Sequence, residues 1–140
     1  MTVQASRRKP SRLEVLLRTR DLAVYTCHIA SNPKNFDPKY WDALGDDLVR
    51  TAKDIHADAW MANEVRVGTD DGWQERRARR LCLQARAIEG CGRMIALIDL
   101  AQGLYHLDTR RVRHWARLVV DARRLLRAWR ESDARRTSCP

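Results

Sequence analysis

The chain has 140 residues, the size of one domain, and its 44% hydrophobic and 32% charged composition suits a folded globule rather than a disordered segment. Its 27 Lys and Arg against 18 Asp and Glu leave a net charge of +9, and most of the cations are arginine, which points to an anionic partner. The longest wholly apolar run, Met94 to Ile98, is too short to span a bilayer, and no apolar segment follows Arg7-Arg8-Lys9 to make an export signal, so a cytoplasmic location is expected.

Residues 1–10 read as a flexible basic tail. Ser11 and Glu14 then have the spacing of a capping box and open a first helix to about Ser31. Its buried side should include Leu13, Leu16, Leu17, Val24 and either Cys27 or His28. Asp37-Pro38 has the form of a cap followed by a first-turn proline and opens the second helix. There Trp41, Leu44, Leu48, Ala52, Ile55, Ala59 and Ala62 recur at steps of three and four, a strong helical period. Gly68 to Gly72 is a turn, after which Asp71 and Gln74 are spaced to cap a third helix running to about Gly103. Its inward stripe is expected at Leu81, Ala85, Ile88, Cys91, Ile95 and Ile98. Leu107-Asp108-Thr109 breaks the chain again. A fourth helix then buries Val112, Trp115, Val119, Ala122, Leu126 and Trp129 and ends near Ser132, leaving 133–140 as a C-terminal tail. Four amphipathic helices with short connections predict an all-α, antiparallel four-helix bundle over 11–132.

Charge is unevenly distributed along these helices. Residues 32–75 carry a net −5, whereas 1–20 carry +5, 76–108 carry +3 and 109–140 carry +7. At about 100° per residue, Arg110, Arg113, Arg117 and Arg124 fall on one stripe of helix 4 opposite its apolar side, with Arg127 flanking it. Arg79, Arg86 and Arg93 repeat every seven residues on helix 3. Rows of guanidinium groups on a rigid rod can follow a phosphate backbone and release its counterions, so these eight residues are the candidate nucleic-acid contacts. A solvated surface is the competing reading.

Helix 3 also carries Leu83, Met94, Leu97, Leu100 and Leu104 away from its expected inward stripe. A helix apolar nearly all round is covered on more than one side, which predicts a homo-oligomer. Trp60 lies off the apolar stripe of helix 2 and suits an interface anchor better than a base-stacking platform, because no arginine lies within three residues of it. Asp47, Asp54 and Asp58 form an acidic stripe that could face arginines of a neighbour or simply be solvated.

Catalytic chemistry finds little footing. No Glu is followed three residues later by His, no two histidines have a metal-binding helical spacing, and no phosphate-binding glycine loop or nucleophile elbow is present. His28, His56, His106 and His114 read as packing or surface residues. Cys27, Cys82, Cys91 and Cys139 have no metal-ligand spacing and read as reduced thiols, mostly packed in the core. No enzyme activity, metal or cofactor is expected.

The second helix carries a resemblance. Trp41-Asp42-Ala43-Leu44-Gly45-Asp46-Asp47-Leu48, with Arg50-Thr51-Ala52, Ile55 and Ala62-Asn63-Glu64, resembles the Avd-like accessory variability determinants of diversity-generating retroelements. That family is related to the four-helix intervening-sequence proteins of ribosomal RNA genes. The similarity extends to Tyr25 and Ile29 in helix 1 and to Trp129 in helix 4. It implies a non-enzymatic, pentameric helical bundle that binds a reverse transcriptase and its template RNA and cDNA during mutagenic retrohoming. The family offers no fixed catalytic motif, so the arginine assignments rest on this chain alone. Two alternatives remain: an intervening-sequence-type bundle binding structured or ribosomal RNA without a polymerase, and a structural oligomer that binds protein alone.

Overall fold

The computed structural model describes residues 12–136; the Ser11 cap, the basic tail and Cys139 lie outside them. Four long helices, α1 (Arg12–Ser31), α2 (Asp46–Glu64), α3 (Trp73–Tyr105) and α4 (Thr109–Arg136), account for most of these residues, and no strand occurs among them. Each helix packs on two neighbours, in the cyclic order α1, α2, α3, α4, around one shared core.

The inward face of α1 is not its most apolar one. Val15, Thr19, Leu22, Thr26 and Ile29 are buried, while Leu13, Leu17 and Val24, expected in the core, are exposed. His28 is also exposed, and Cys27 is only half-buried. Two buried threonines are tolerated because each hydroxyl is satisfied twice. Thr26 donates to the Leu22 carbonyl at 2.8 Å and accepts the indole N–H of Trp115 at 2.9 Å. Thr19 donates to the Leu16 carbonyl at 3.1 Å and lies 2.8 Å from Nδ1 of His56. With its only proton committed to Leu16, the Thr19 oxygen accepts from an Nδ1–H tautomer of His56.

Entry to α2 is built in stages rather than by one cap. The amides of Asn35 and Phe36 donate to the Asn32 carbonyl, folding Phe36 beneath Tyr105 with ring centroids 4.2 Å apart. The Asp37 carboxylate accepts from the amide of Lys39 and starts a tight 3₁₀ turn over Pro38–Tyr40. A wider turn follows over Trp41–Gly45, in which the amide of Asp46 donates five residues back to Trp41. The Trp41 ring folds over Gly45, where a Cβ atom would come within 2.5 Å of Cε3, so this turn requires glycine. Trp41 is left exposed rather than in the expected core stripe. The remaining predicted core positions of α2 are buried.

Small residues let α2 and α3 approach closely: Ala52, Ala59, Ala62 and Ala87 are buried, and a Cβ on Gly90 would lie 2.7 Å from Cγ1 of Ile55. The buried stripe of α3 is Arg80, Gln84, Ala87, Cys91, Met94, Ile98 and Ala101, spaced alternately by four and three. This stripe is rotated by about 80° from the expected one. Leu81, Ala85, Ile88 and Ile95 consequently sit at the flanks, half-buried. The first residue before α3 is Gly72 at φ +81°, and no side chain caps the helix, so Asp71 does not take the expected role. Past Tyr105, His106 turns the chain in a left-handed conformation at φ 55°, unusual for a residue with a Cβ.

α4 buries Trp115, Val119, Ala122, Leu126 and Trp129 as expected, each large side chain contributing about 1.5–3 kcal/mol through burial. The helix continues beyond Ser132 because Asp133 is buried beside Arg80, with Nε to Oδ2 at 2.6 Å. Residues 133–136 therefore belong to the packed helix, not to a tail. Gln84 donates to the same Asp133 oxygen at 2.7 Å, and Arg80 also reaches the carbonyls of Ala62 and Val65 at the end of α2. One guanidinium thus joins three helices.

Candidate nucleic-acid interface

Arg110, Arg113, Arg117 and Arg124 stand exposed on α4, opposite the buried Trp115, Val119, Ala122 and Leu126. From Arg110 to Arg124 the row extends about 21 Å along the helix axis. Arg127 is also exposed and lies beside Arg130 at a groove lined by Ala85, Ile88 and Glu89 of α3. The row is interrupted by Val120, which is exposed between Arg117 and Arg124. Rigid helical backbone fixes the spacing of these charges, while each long side chain keeps freedom to meet an oxygen anion. Repeated contacts of that kind suit a polyanion better than a small metabolite.

The second row does not join the first. Arg79, Arg86 and Arg93 are exposed on α3, but Arg86 reaches Asp58 of α2 at 3.6 Å, which places this row along the α2 side. Arg130, by contrast, donates to the Leu81 carbonyl, and so the α3–α4 contact uses the other flank of α3. A strand following Arg110 to Arg124 would leave the Arg79, Arg86 and Arg93 row on a different face. Asp58 itself is held above the usual carboxylate range by burial, partly offset by Arg86 and reinforced by Asp54. Asp47 and Asp54 of the same acidic stripe are exposed.

No protein family, curated protein or solved structure matches the chain. The site must therefore be read from its own geometry.

The expected apolar contact surface divides into core and surface. Leu83, 4% exposed, and Met94, 0% exposed, are core residues and offer nothing to a second molecule. Both misplacements follow from the rotation of α3. Leu97 and Leu104 are half-buried against the core, whereas Leu100 is 59% exposed. Trp60 is 52% exposed, with its indole N–H donating to Glu64 at 3.1 Å and its ring edge-on to His56. The same rotation logic reveals a face missed in the sequence: Leu13, Leu17 and Val24 line the outside of α1, with Leu13 67% exposed. Their spacing of four and seven is plain in the sequence, but hydrophobic period alone assigns it to the inward stripe.

Other reactive groups do not gather into a site. Cys91 is buried, and desolvation pushes its thiol up to about 12 despite Arg123 and Arg127 nearby. Cys82 is exposed and Cys27 half-buried, so the thiols are not mostly core residues as expected. Among the described residues, no three His, Cys, Asp or Glu side chains are placed to share a metal ion. No described helix is long and apolar enough to cross a membrane.

Proposed function

We propose that this protein is a non-catalytic, antiparallel four-helix accessory subunit that grips RNA and cDNA for a retroelement reverse transcriptase, acting as a homo-oligomer in mutagenic retrohoming. The observation that carries the nucleic-acid reading is the exposed row Arg110, Arg113, Arg117 and Arg124 on a single 28-residue helix. Support for antiparallel packing comes from residue pairs across the helices: Arg77 and Arg130 bond Ala134 and Leu81, so α3 and α4 run through their contacts in opposite order. The reverse transcriptase enters through the resemblance of residues 41–64. The exposed Leu100 and Trp60 supply surface for self-association.

Mechanistically the protein would contribute position and charge, with the polymerase performing the chemistry. Binding to a phosphate backbone releases counterions, so affinity should fall steeply with salt. The test is RNA binding by fluorescence anisotropy over a salt series, comparing the unchanged protein with Arg113→Glu/Arg117→Glu. The double variant should bind more weakly, with a salt slope lowered by about 2, while its thermal unfolding is unchanged. Identical affinities and slopes for the two proteins would remove the α4 row from the interface.

A further inference from the structure

At the opposite end of α4 from Arg110, arginines surround a small cavity. The enclosed space is about 20 Å³, room for about one water, and it opens to solvent between the turn after α2, the first turns of α3 and Asp133 of α4. Arg66, Arg76, Arg77 and Arg80 line it, against the single carboxylate of Asp133. Arg80 is 3% exposed, and its hydrogen bonds occupy Nε and Nη1. Its Nη2 is buried with no hydrogen-bond partner. A buried, charged donor in that condition is costly, and the usual remedy is a water or ion that supplies an acceptor.

The surrounding charges favour an anion over a neutral molecule. Both Asp133 oxygens are engaged, Oδ2 by Arg80 and Gln84 and Oδ1 by Arg136 at 3.3 Å. Asp70, just outside, bridges Arg66 at 2.7 Å and Arg76 at 2.6 Å. Arg12, Arg66, Arg76, Arg77, Arg80 and Arg136 thus gather around Asp133 and Asp70. Arg12 is pushed below the ordinary arginine value, by burial first and by repulsion from Arg80 next. Exposed pairs such as Arg66–Asp70 contribute little, so Arg66 can turn to a better anion at little cost.

We propose that this pocket is the floor of a phosphate-binding site, in which the exposed Arg66 swings aside to admit the anion, Arg80 Nη2 donates to one phosphate oxygen, and Arg66 and Arg77 then close over the others. Arginine forks match phosphate oxygens in pairs, and a buried guanidinium anchored on three sides is already oriented for the contact. The site lies apart from the Arg110–Arg124 row and stands or falls independently of it. In the sequence the run Arg76-Arg77-Ala78-Arg79-Arg80 marks only a concentration of charge, and Arg79 alone of it is among the candidate contacts.

Isothermal titration of the full chain with inorganic phosphate, at constant ionic strength, tests the assignment. One phosphate should bind per chain. Arg66→Ala/Arg77→Ala should weaken it by about tenfold or more, as expected for lost charge-assisted hydrogen bonds. Arg113→Glu/Arg117→Glu should leave it unchanged. Absence of saturable binding, or binding lost only in the α4 variant, overturns the site. A parallel arm compares 5′-phosphorylated and 5′-hydroxyl forms of one oligonucleotide. Tighter binding of the phosphorylated form, abolished by Arg66→Ala/Arg77→Ala, assigns the phosphate to a nucleic-acid end, whereas equal binding beside a positive phosphate titration assigns it to a small molecule.

Discussion

The indole N–H of Trp115 on α4 donates to the hydroxyl of Thr26 on α1 at 2.9 Å, and neither side chain touches solvent. Thr26→Val keeps the shape of the side chain but strands the indole N–H in the core. The expected loss is about 1–3 kcal/mol of stability, the cost of an unsatisfied buried donor. Denaturant unfolding of the variant measures it; a loss below a few tenths would mean the indole finds another acceptor.

That contact also explains which helices were legible in the sequence. α2 and α4 bury faces that are almost wholly apolar, so hydrophobic period alone located Leu48, Ile55, Trp115 and Leu126. α1 and α3 each bury polar groups with dedicated partners: Thr19 and Thr26 in one, Arg80 and Gln84 in the other. Period counting then favours the wrong side, placing Leu13, Leu17 and Val24 inside and Leu83 and Met94 outside. The partners that reverse the choice, His56, Trp115 and Asp133, lie 37 to 89 residues away. Local pattern carries no trace of such distant pairing. The α4 arginine row needed only helical geometry, and so it could be drawn from the sequence, whereas the Arg80 cavity required the tertiary structure.

Arg80 and Asp133 form a buried pair at 2.6 Å, and removing Arg80 takes from the carboxylate its buried counter-charge, leaving the half-exposed Arg136 at 3.3 Å. Arg80→Met should therefore destabilise by about 3–5 kcal/mol. Adding Asp133→Leu should restore part of the loss, because the double variant no longer buries a carboxylate deprived of Arg80. Recovery will be incomplete, since the Ala62 and Val65 carbonyls still lack the donor they had. Urea unfolding of both variants checks the order; a double variant less stable than Arg80→Met would contradict it.

His56 titrates below its ordinary value of 6.5 because burial disfavours the imidazolium and Arg20 repels it. As pH falls, the unfolded chain takes up this proton before the folded one. The His56 contribution is therefore fully present above about pH 6.5 and declines as pH drops below that value toward the lowered folded pKa. His56→Asn retains an N–H for Thr19 without the titration. Thermal unfolding across this range should show a shallower acid decline for His56→Asn than for the unchanged protein, and parallel curves would exclude the effect.

Met94 and Leu100 are six residues apart on α3 but belong to different environments, 0% and 59% exposed. Aspartate at Met94 buries a carboxylate without a partner and should unfold the protein or raise that group's pKa far enough to neutralise it. Leu100→Asp places the same charge in water, where a folded protomer tolerates it with a change within about 0.5 kcal/mol. If Leu100 lies at a contact between copies, the variant should sediment as a smaller species while keeping its unfolding midpoint as a protomer. Sedimentation velocity and circular dichroism on the two variants separate these outcomes. Unaltered sedimentation of Leu100→Asp would take the self-association off this part of α3, and Leu13→Asp/Leu17→Asp would then report whether the exposed face of α1 carries it.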